Sequence, residues 1–220
     1  MSADMAQTLR AGARELGLNL DDAQLGKLLE YQALIGKWNR VYNLTAVRDA
    51  QDMLHQHLLD SLAAVPALKR HLATLPPGLK PRLLDVGSGA GLPGVVLAIC
   101  LPGLEVSCVD TVGKKAAFIQ QAALSLALSN LKAIHARVET LVSADWDVVC
   151  SRAFASLVDF THWSAAALKP DGVWLAMKGK QPADELAALP SGVQVFHVEQ
   201  LQVPGLGAER CIVWMRGRRV

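Results

Sequence analysis

A string of glycines directly after an apolar run is the most distinctive chemical feature of the sequence. Gly87, Gly89, Gly91 and Gly94 follow one another closely, and the apolar run before them contains Asp85. Glycine lets the backbone approach a ligand closely and adopt positive φ, and a following helix offers free N–H groups at its N-terminus. The segment therefore predicts a ligand-binding turn between a buried strand and a helix.

The glycine spacing fits two kinds of ligand. Gly89-x-Gly91-x-x-Gly94 is the pattern of dinucleotide-binding proteins, in which a pyrophosphate lies at the start of the helix. Asp85-x-Gly87-x-Gly89-x-Gly91 is the pattern of S-adenosylmethionine (SAM) methyltransferases, in which the loop faces an amino acid and a sulfonium. The spacing alone leaves both ligands open.

Three further residues follow apolar runs and could contact the same ligand. Asp110 ends the next run, where an acid accepts the ribose hydroxyls of an adenosine-bearing ligand. Glu139 follows the third run, in a loop that would border the adenine. Arg152 follows the fourth run, in a loop beside the reacting group, and its guanidinium could bind a carboxylate or phosphate with two hydrogen bonds.

The periodicity of apolar residues predicts the elements that position these side chains. Up to residue 75 the apolar residues recur at helical spacing, and Leu75-Pro76-Pro77-Gly78 then breaks the pattern. Beyond it, short apolar runs alternate with helical segments at residues 82–86, 104–109, 131–136, 146–150 and 173–177. This alternation predicts an α/β fold with a parallel sheet, and two closing runs, 193–198 and 211–215, predict an antiparallel pair at its edge. We expect a helical extension over 1–75 and a ligand-binding domain over 76–220.

Composition excludes several classes of protein. The 220 residues are 51% hydrophobic and 19% charged with a net charge of +2, which excludes wholesale disorder and a polybasic protein. No apolar run is long enough to cross a bilayer, and the cysteines within apolar runs read as reduced thiols, so a cytoplasmic protein is expected. No metal site is predicted, because closely spaced ligand pairs are missing.

No residue stands out as a general acid, base or nucleophile. His55, His57, Asp60 and Ser61 invite a hydrolase reading, but they lie on one predicted helix and no GxSxG motif occurs. Cys150 lies within an apolar run, which favours a core thiol over a catalytic nucleophile. The catalytic residue, if the protein needs one, stays unassigned.

Two groups of basic residues suit the phosphates and unstacked bases of RNA. One group closes the chain and comprises Arg210, Arg216, Arg218 and Arg219. The other surrounds the aromatic and amide residues 38–43 and comprises Lys37, Arg40 and Arg48. Both groups are predicted to contact RNA.

Nearly the whole chain resembles the glucose-inhibited division protein B family, bacterial methyltransferases of small-subunit rRNA. The shared segments include Trp38-Asn39, Tyr42-Asn43-Leu44-Thr45, His57-x-x-Asp60-Ser61, residues 85–94, Asp110-Thr111 with Lys114-Lys115, Arg137-Val138-Glu139, residues 151–155 and Lys178-Gly179. Thr111 departs slightly, because relatives often have Ser there, but the hydroxyl survives.

The resemblance implies a class I SAM-dependent methyltransferase fold, a Rossmann-like sheet with an N-terminal helical extension. It implies SAM contacts at Gly87, Leu92, Val138, Glu139 and Arg152, beside the residues Gly89, Gly91 and Asp110 that chemistry already suggests. It also implies the substrate, N7 of a guanine in the 530 loop of 16S rRNA, presented as naked rRNA, a 30S subunit or an assembly intermediate. A monomer is expected. A nucleotide-dependent oxidoreductase and a non-catalytic RNA-binding protein are the alternatives.

Overall fold

A seven-stranded sheet forms the centre of the described residues, 3–154 and 156–218, in the computed structural model. The strands are β1 (Arg82–Val86), β2 (Glu105–Asp110), β3 (Leu131–His135), β4 (Trp146–Arg152), β5 (Leu168–Lys178), β6 (Val193–Leu201) and β7 (Arg210–Gly217). Their order is β3-β2-β1-β4-β5-β7-β6, with β1 to β5 parallel and β7 antiparallel to both β5 and β6. The predicted α/β class and the antiparallel edge are confirmed.

Helices precede the sheet and connect its strands. They are α1 (Ala3–Glu15), α2 (Asp22–Tyr42), α3 (Ala50–Met53), α4 (Asp60–Leu62), α5 (Val65–Leu72), α6 (Gly94–Cys100), α7 (Gly113–Ser125), α8 (Leu157–Ser164) and α9 (Ala183–Ala187). A π-helical segment, Leu54–Leu59, joins α3 to α4, and a 3₁₀ turn, Val138–Thr140, follows β3. A π-helical segment inside an α-helix often marks a functional site.

Helix α2 begins at a reciprocal cap and reaches the glycine turn. The Asp21 carboxylate accepts the backbone N–H of Gln24, and the Gln24 side chain accepts the backbone N–H of Asp21. The helix ends at Asn43, which adopts a left-handed conformation with φ 49°. Between these ends the fully buried Tyr31 donates its hydroxyl to the carbonyl of Ala90 at 2.6 Å. The helical spacing predicted for this part of the sequence is confirmed here.

The orientation of α2 places its C-terminal end at the carboxyl edge of the sheet. Gln24 donates to the carbonyl of Ile99 at the end of α6, whereas Tyr31 contacts Ala90 before α6 begins. Helix α2 is therefore antiparallel to α6, and it continues for about 16 Å beyond Tyr31. The exposed Tyr42 thus lies on the same side of the sheet as the glycine turn.

Both faces of the sheet are buried. The N-terminal helices and α6 share one continuous core with the first face, and this core contains Leu58, Val95 and Val148, all fully buried. Helix α8 covers the second face with a core that contains Phe160. A linker over 73–81 joins α5 to β1, as the breaker predicts, while the division into two domains stays a prediction.

The four cysteines are free and buried, and for Cys100, Cys108 and Cys150 burial was expected from the apolar runs that contain them. Within the described residues, none of the helices combines the length and the apolar character that crossing a membrane requires.

Candidate active site

A cavity of about 410 Å³ opens at the carboxyl ends of β1, β2 and β3, and we call it the first cavity. Gly87, Asp110, Val138 and Glu139 line it, so half of the predicted cofactor contacts meet in one place. Its wall on the side of β4 is the ring of Phe154. The order of the strands produces this meeting, because β1, β2 and β3 are neighbours and all end at the same edge.

Backbone N–H groups hold the carboxylate of Asp110 in the first cavity. Gly89 N–H donates to Oδ2 at 3.0 Å and Val112 N–H donates to Oδ1 at 2.9 Å, while Lys115 Nζ lies 3.6 Å from Oδ2. These partners leave each carboxylate oxygen with further capacity to accept a hydrogen bond. Asp110 is therefore a fixed acceptor for a pair of ligand hydroxyls.

The glycine turn depends on conformations that other residues rarely adopt. Gly87, Gly89 and Gly91 have φ values of +65°, +59° and +89°. A Cβ on Gly91 would lie 2.5 Å from Val95 Cγ2, whereas a Cβ on Gly89 would meet no atom within 4 Å. Gly89, Gly91 and the buried Leu92 shape the turn without lining the first cavity, so their predicted contacts with the cofactor stay predictions.

A buried carboxyl group supports the turn from below. Asp85 is fully buried, and its Oδ2 accepts the N–H of Gly94, the first residue of α6, at 2.9 Å. The thiols of Cys108 and Cys150 lie 3.9 and 3.8 Å from its oxygens. Burial raises the pKa of Asp85 to about 7, although the hydrogen bond from Gly94 lowers it. The structure places this residue beneath the ligand surface, in contact with the helix start.

A second cavity, of about 430 Å³, adjoins the first. Four parts of the chain surround it: the π-helical segment and α4, the loop after β4, the end of β5, and the start of β7. Ala153 and Phe154 line both cavities. The two cavities therefore share a wall at the carboxyl end of β4.

Two arginines hold one carboxylate in the second cavity. Asp60 is 3% exposed; Arg152 Nη1 lies 2.8 Å from its Oδ2, and Arg210 Nε lies 2.6 Å from its Oδ1. Arg152 also donates to the carbonyl of Gln56 at 2.8 Å. The structure thus places Arg152 in the second cavity and outside the lining of the first, and its predicted contact with the cofactor stays a prediction.

The second cavity has an excess of positive charge. Arg152 and Arg210 face a single carboxylate, Asp60, while Lys178 binds both oxygens of Glu185 at 2.8 and 3.0 Å. One guanidinium charge is therefore left uncompensated among these five groups. Such a cavity attracts an anionic ligand such as a polynucleotide.

His57 completes the wall of the second cavity. The ring is 7% exposed, and its Nε2 lies 2.8 Å from Thr45 Oγ1. Burial lowers the pKa of His57, and the nearby Arg152 lowers it further, so the ring is neutral at pH 7. Sequence reasoning set His57 and Asp60 aside with the hydrolase reading and missed this cavity. The available signal was that His57 and Asp60 are three positions apart, which places both on one side of a helix.

The arginines near the C-terminus lie far apart in the structure. Cys211 pairs with Lys178, so Arg210 lies at the carboxyl edge, whereas Arg216 lies six residues further along β7, about 20 Å away. There Arg216 stacks over the ring of Phe196 at 5.3 Å. Arg218 lies beside it, and Arg219 lies outside the described residues.

Comparison with known proteins decides what kind of site this is. A family model described as rRNA small subunit methyltransferase G matches residues 24–213. The chain belongs to the rRNA small subunit methyltransferase G family. The ribosomal RNA small subunit methyltransferase G of Polaromonas sp. (strain JS666) is 68% identical over 96% of this chain and 92% of its own. That of Acidovorax ebreus (strain TPSY) is 66% identical over 98% of this chain and 96% of its own.

Solved structures agree on the fold of this methyltransferase. A SAM-dependent methyltransferase from Leishmania major superposes with a TM-score of 0.58 at 20% identity, covering 87% of this chain and 82% of that one. Membership in the rRNA methyltransferase family favours SAM over a dinucleotide as the ligand of the glycine turn. The first cavity fits SAM, because Asp110 offers a fixed acceptor for the ribose hydroxyls and Val138 an apolar wall for the adenine.

Proposed function

We propose that this protein acts as a monomer and transfers a methyl group from SAM to N7 of a guanine in the 530 loop of 16S rRNA. The observation that carries the proposal is the pair of cavities that meet at Ala153 and Phe154. One has a fixed carboxylate suited to an adenosine, and the other has an excess of positive charge suited to RNA. A methyltransferase needs a donor site and an acceptor site that adjoin in this way.

The residues of the first cavity bind and orient the donor. Asp110 accepts the two ribose hydroxyls, and Val138 and Glu139 border the adenine. Gly87 lets the cofactor approach the backbone at the end of β1, where a Cβ would already lie 3.2 Å from the ring of Phe154. When bound, SAM supplies a methyl group activated by a sulfonium.

The residues of the second cavity receive the acceptor base. Arg152 and Arg210 supply the positive charge that attracts the RNA, and Asp60 holds both guanidinium groups in place. Guanine N7 has an in-plane lone pair and no proton, so attack needs no general base. Holding the base and the methyl group in line at close distance can contribute about 7–11 kcal/mol.

The C-terminal end of α2 supports the rest of the RNA. The rings of Tyr42 and Trp38 are in contact, with centroids 5.2 Å apart and planes tilted by 37°, and Tyr42 is 40% exposed. Lys37 and Arg40 are exposed on the same helix, and Arg48 donates to the side chain of Asn43, the residue after Tyr42, at 3.2 Å. Exposed aromatic rings among basic side chains bind unstacked bases and phosphates, so this cluster would hold nucleotides that flank the acceptor.

A methylation assay tests the proposal. Purified protein and radioactive SAM are incubated with naked 16S rRNA, with 30S subunits and with an assembly intermediate, each lacking the modification. Borohydride reduction and aniline then cleave the RNA wherever 7-methylguanosine has formed. We expect one cleavage in the 530 loop for at least one substrate. Methyl transfer without cleavage would place the methyl group on another atom.

The pH dependence of a single turnover tests the atom that accepts the methyl group. With saturating SAM and bound RNA, we expect a rate that varies little between about pH 6 and 9, because N7 loses no proton. A tenfold rise with one pKa, abolished by replacing His57, would indicate a general base and exclude N7 as the acceptor.

A further inference from the structure

One peptide of the glycine turn is held by a residue from far away in the sequence. The carbonyl of Ala90 accepts the hydroxyl of Tyr31 at 2.6 Å, across 59 positions of the chain. The other contacts of this part of the turn are local. The N–H groups of Gly91 and Leu92 donate to the carbonyl of Ser88 at 2.7 and 3.0 Å. The turn is therefore shaped partly by its own backbone and partly by helix α2.

The side chain of Tyr31 is fixed by its surroundings. It is fully buried and stacks on the ring of Phe118 in α7, with centroids 6.4 Å apart, and Phe118 is fully buried as well. Burial raises the pKa of Tyr31 well above its usual value, so the hydroxyl keeps its proton and acts as a donor. The position of this donor is set by two helices and does not depend on the turn.

The turn needs such a contact because its glycines allow many conformations. Gly89 and Gly91, on either side of Ala90, both have positive φ, and glycine populates positive and negative φ about equally. When only a fraction of the molecules has the binding conformation, the apparent affinity for the ligand falls by that fraction. A hydrogen bond that favours one conformation increases the fraction before the ligand arrives.

The conformation favoured by Tyr31 is the one that holds the carboxylate of the first cavity. Gly89, which directly precedes Ala90, donates its N–H to Asp110 Oδ2 at 3.0 Å. The Tyr31 hydroxyl also lies 3.3 Å from the position that a Cβ on Gly91 would occupy. Because these residues are adjacent, a reorientation of Ala90 would also disturb the hydrogen bond to Asp110.

We propose that Tyr31 is a positioning residue of the cofactor site, whose hydroxyl holds the glycine turn in the conformation that binds SAM. The inference rests on the proposed function, in which SAM occupies the first cavity beside this turn. Because Tyr31 lies on α2, the helices before the sheet then contribute to cofactor binding as well as to RNA binding.

The variant Tyr31→Phe tests the inference, because it removes the hydroxyl and keeps the ring. We expect the dissociation constant of SAM, measured by calorimetry, to rise about 3–10-fold, the range that one hydrogen bond contributes. The single-turnover rate with bound rRNA should match the wild type at saturating SAM, because the ligand then selects the binding conformation. A rate that stays low at saturating SAM would mean that the hydroxyl acts on methyl transfer, and would contradict the inference.

A second variant, Gln24→Met, is the matched control for stability. Gln24 lies on the same helix and donates to the carbonyl of Ile99 at 3.2 Å, at the opposite end of α6 from the turn. Both variants should lower the melting temperature, but only Tyr31→Phe should weaken SAM binding. If Tyr31→Phe keeps the SAM affinity of the wild type, or if Gln24→Met loses as much affinity, the inference is wrong.

Hydrogen exchange provides a measurement that the wild type alone can fail. Without SAM, the N–H groups of Gly91 and Leu92 should be protected in the wild type and exchange about 3–10-fold faster in Tyr31→Phe. Exchange in the wild type at the rate of an unstructured peptide would overturn the inference. A wild type that binds SAM but forms no 7-methylguanosine in 16S rRNA would refute the proposed function alone.

Discussion

The two cavities that meet at Phe154 are built in different ways. The first is assembled from the ends of three neighbouring strands, each followed at once by the residues that line it. The second brings together Asp60 and Arg210, which are 150 positions apart in the sequence. Short motifs at successive strand ends thus indicate the first cavity, whereas no local motif indicates the second, which only the tertiary fold assembles.

The carboxylates of the two cavities show the same contrast. Asp110 is held by the backbone N–H groups of Gly89 and Val112, which belong to the turns that begin at the same strand ends. Asp60 is held by Arg152 and Arg210, which come from two different strands. Loss of Asp60 therefore disturbs the packing of distant segments, while loss of Asp110 disturbs a binding surface.

The largest expected effect is that of Asp60→Ala. This change leaves two guanidinium groups of the second cavity without their carboxylate, which typically costs about 3–5 kcal/mol when a buried pair is broken. We expect the free energy of unfolding, measured with urea, to fall by about that amount, and methylation to be lost. Asp110→Ala is the matched control, and equal stability of the two variants would contradict the contrast between the cavities.

The next effect concerns Asp85, whose pKa is raised from 3.8 to about 7 in the folded protein. Between about pH 4 and 7 the carboxyl group of Asp85 stays protonated in the native state but ionises in the unfolded state. Because ionisation favours the unfolded state, the free energy of unfolding falls as the pH rises through that interval. The difference in unfolding free energy between wild type and Asp85→Asn should fall by at most about 3 kcal/mol between pH 5 and 7 and level off above pH 7. Urea titrations at pH 5, 6, 7 and 8 measure the unfolding free energies of both proteins. If the difference between them does not change with pH, the pKa of Asp85 is not raised.

A smaller effect is expected for Asp110→Ala. The change removes the acceptor for the ribose hydroxyls, and hydrogen bonds to a charged group contribute about 1.5–3 kcal/mol, so SAM affinity should fall about 10–100-fold. Single-turnover rates should recover when SAM is raised to saturation, because the second cavity is intact. Calorimetry and rate measurements provide the two readouts. A rate that stays low at saturating SAM would mean that Asp110 acts on the methyl transfer itself.

The smallest effect is expected at the far end of β7. Replacing Arg216 and Arg218 by Ala should weaken rRNA binding and flatten its salt dependence, by about 0.7–0.9 in slope for each lost phosphate contact. SAM affinity should not change, because these residues lie about 20 Å from the carboxyl edge. Lys132→Ala, an exposed cation on the opposite edge strand β3, is the control. A salt slope equal to that control would make the two arginines ordinary surface charge.

Sequence patterns predicted the strands near the first cavity better than those further away. Strand β1 has the predicted bounds, Arg82–Val86, because its apolar run is continuous and ends at a glycine. Strand β5 was predicted over 173–177 but extends over Leu168–Lys178, since Lys169, Pro170 and Asp171 conceal its beginning. A strand is recognised in a sequence by its buried side chains, and the exposed end of β5 has few of them.

The second cavity escaped prediction for a physical reason. Its residues lie on four separate parts of the chain, and none of these parts has a spacing that indicates a ligand. The arginines near the C-terminus show that residues close in sequence can also be far apart in the structure. Arg210 and Arg216 are close in sequence, yet they lie at opposite ends of the extended strand β7, about 20 Å apart. Proximity in sequence predicts proximity in space only where the chain turns.

The ring of Phe154 belongs to the lining of both cavities, so it is the place where binding in one can affect binding in the other. It lies within 3.2 Å of the position that a Cβ on Gly87 would occupy, and it also lines the second cavity. If the bound cofactor moves this ring, it changes the affinity of the protein for RNA by some factor. Reciprocity then requires that bound RNA change the affinity for the cofactor by the same factor.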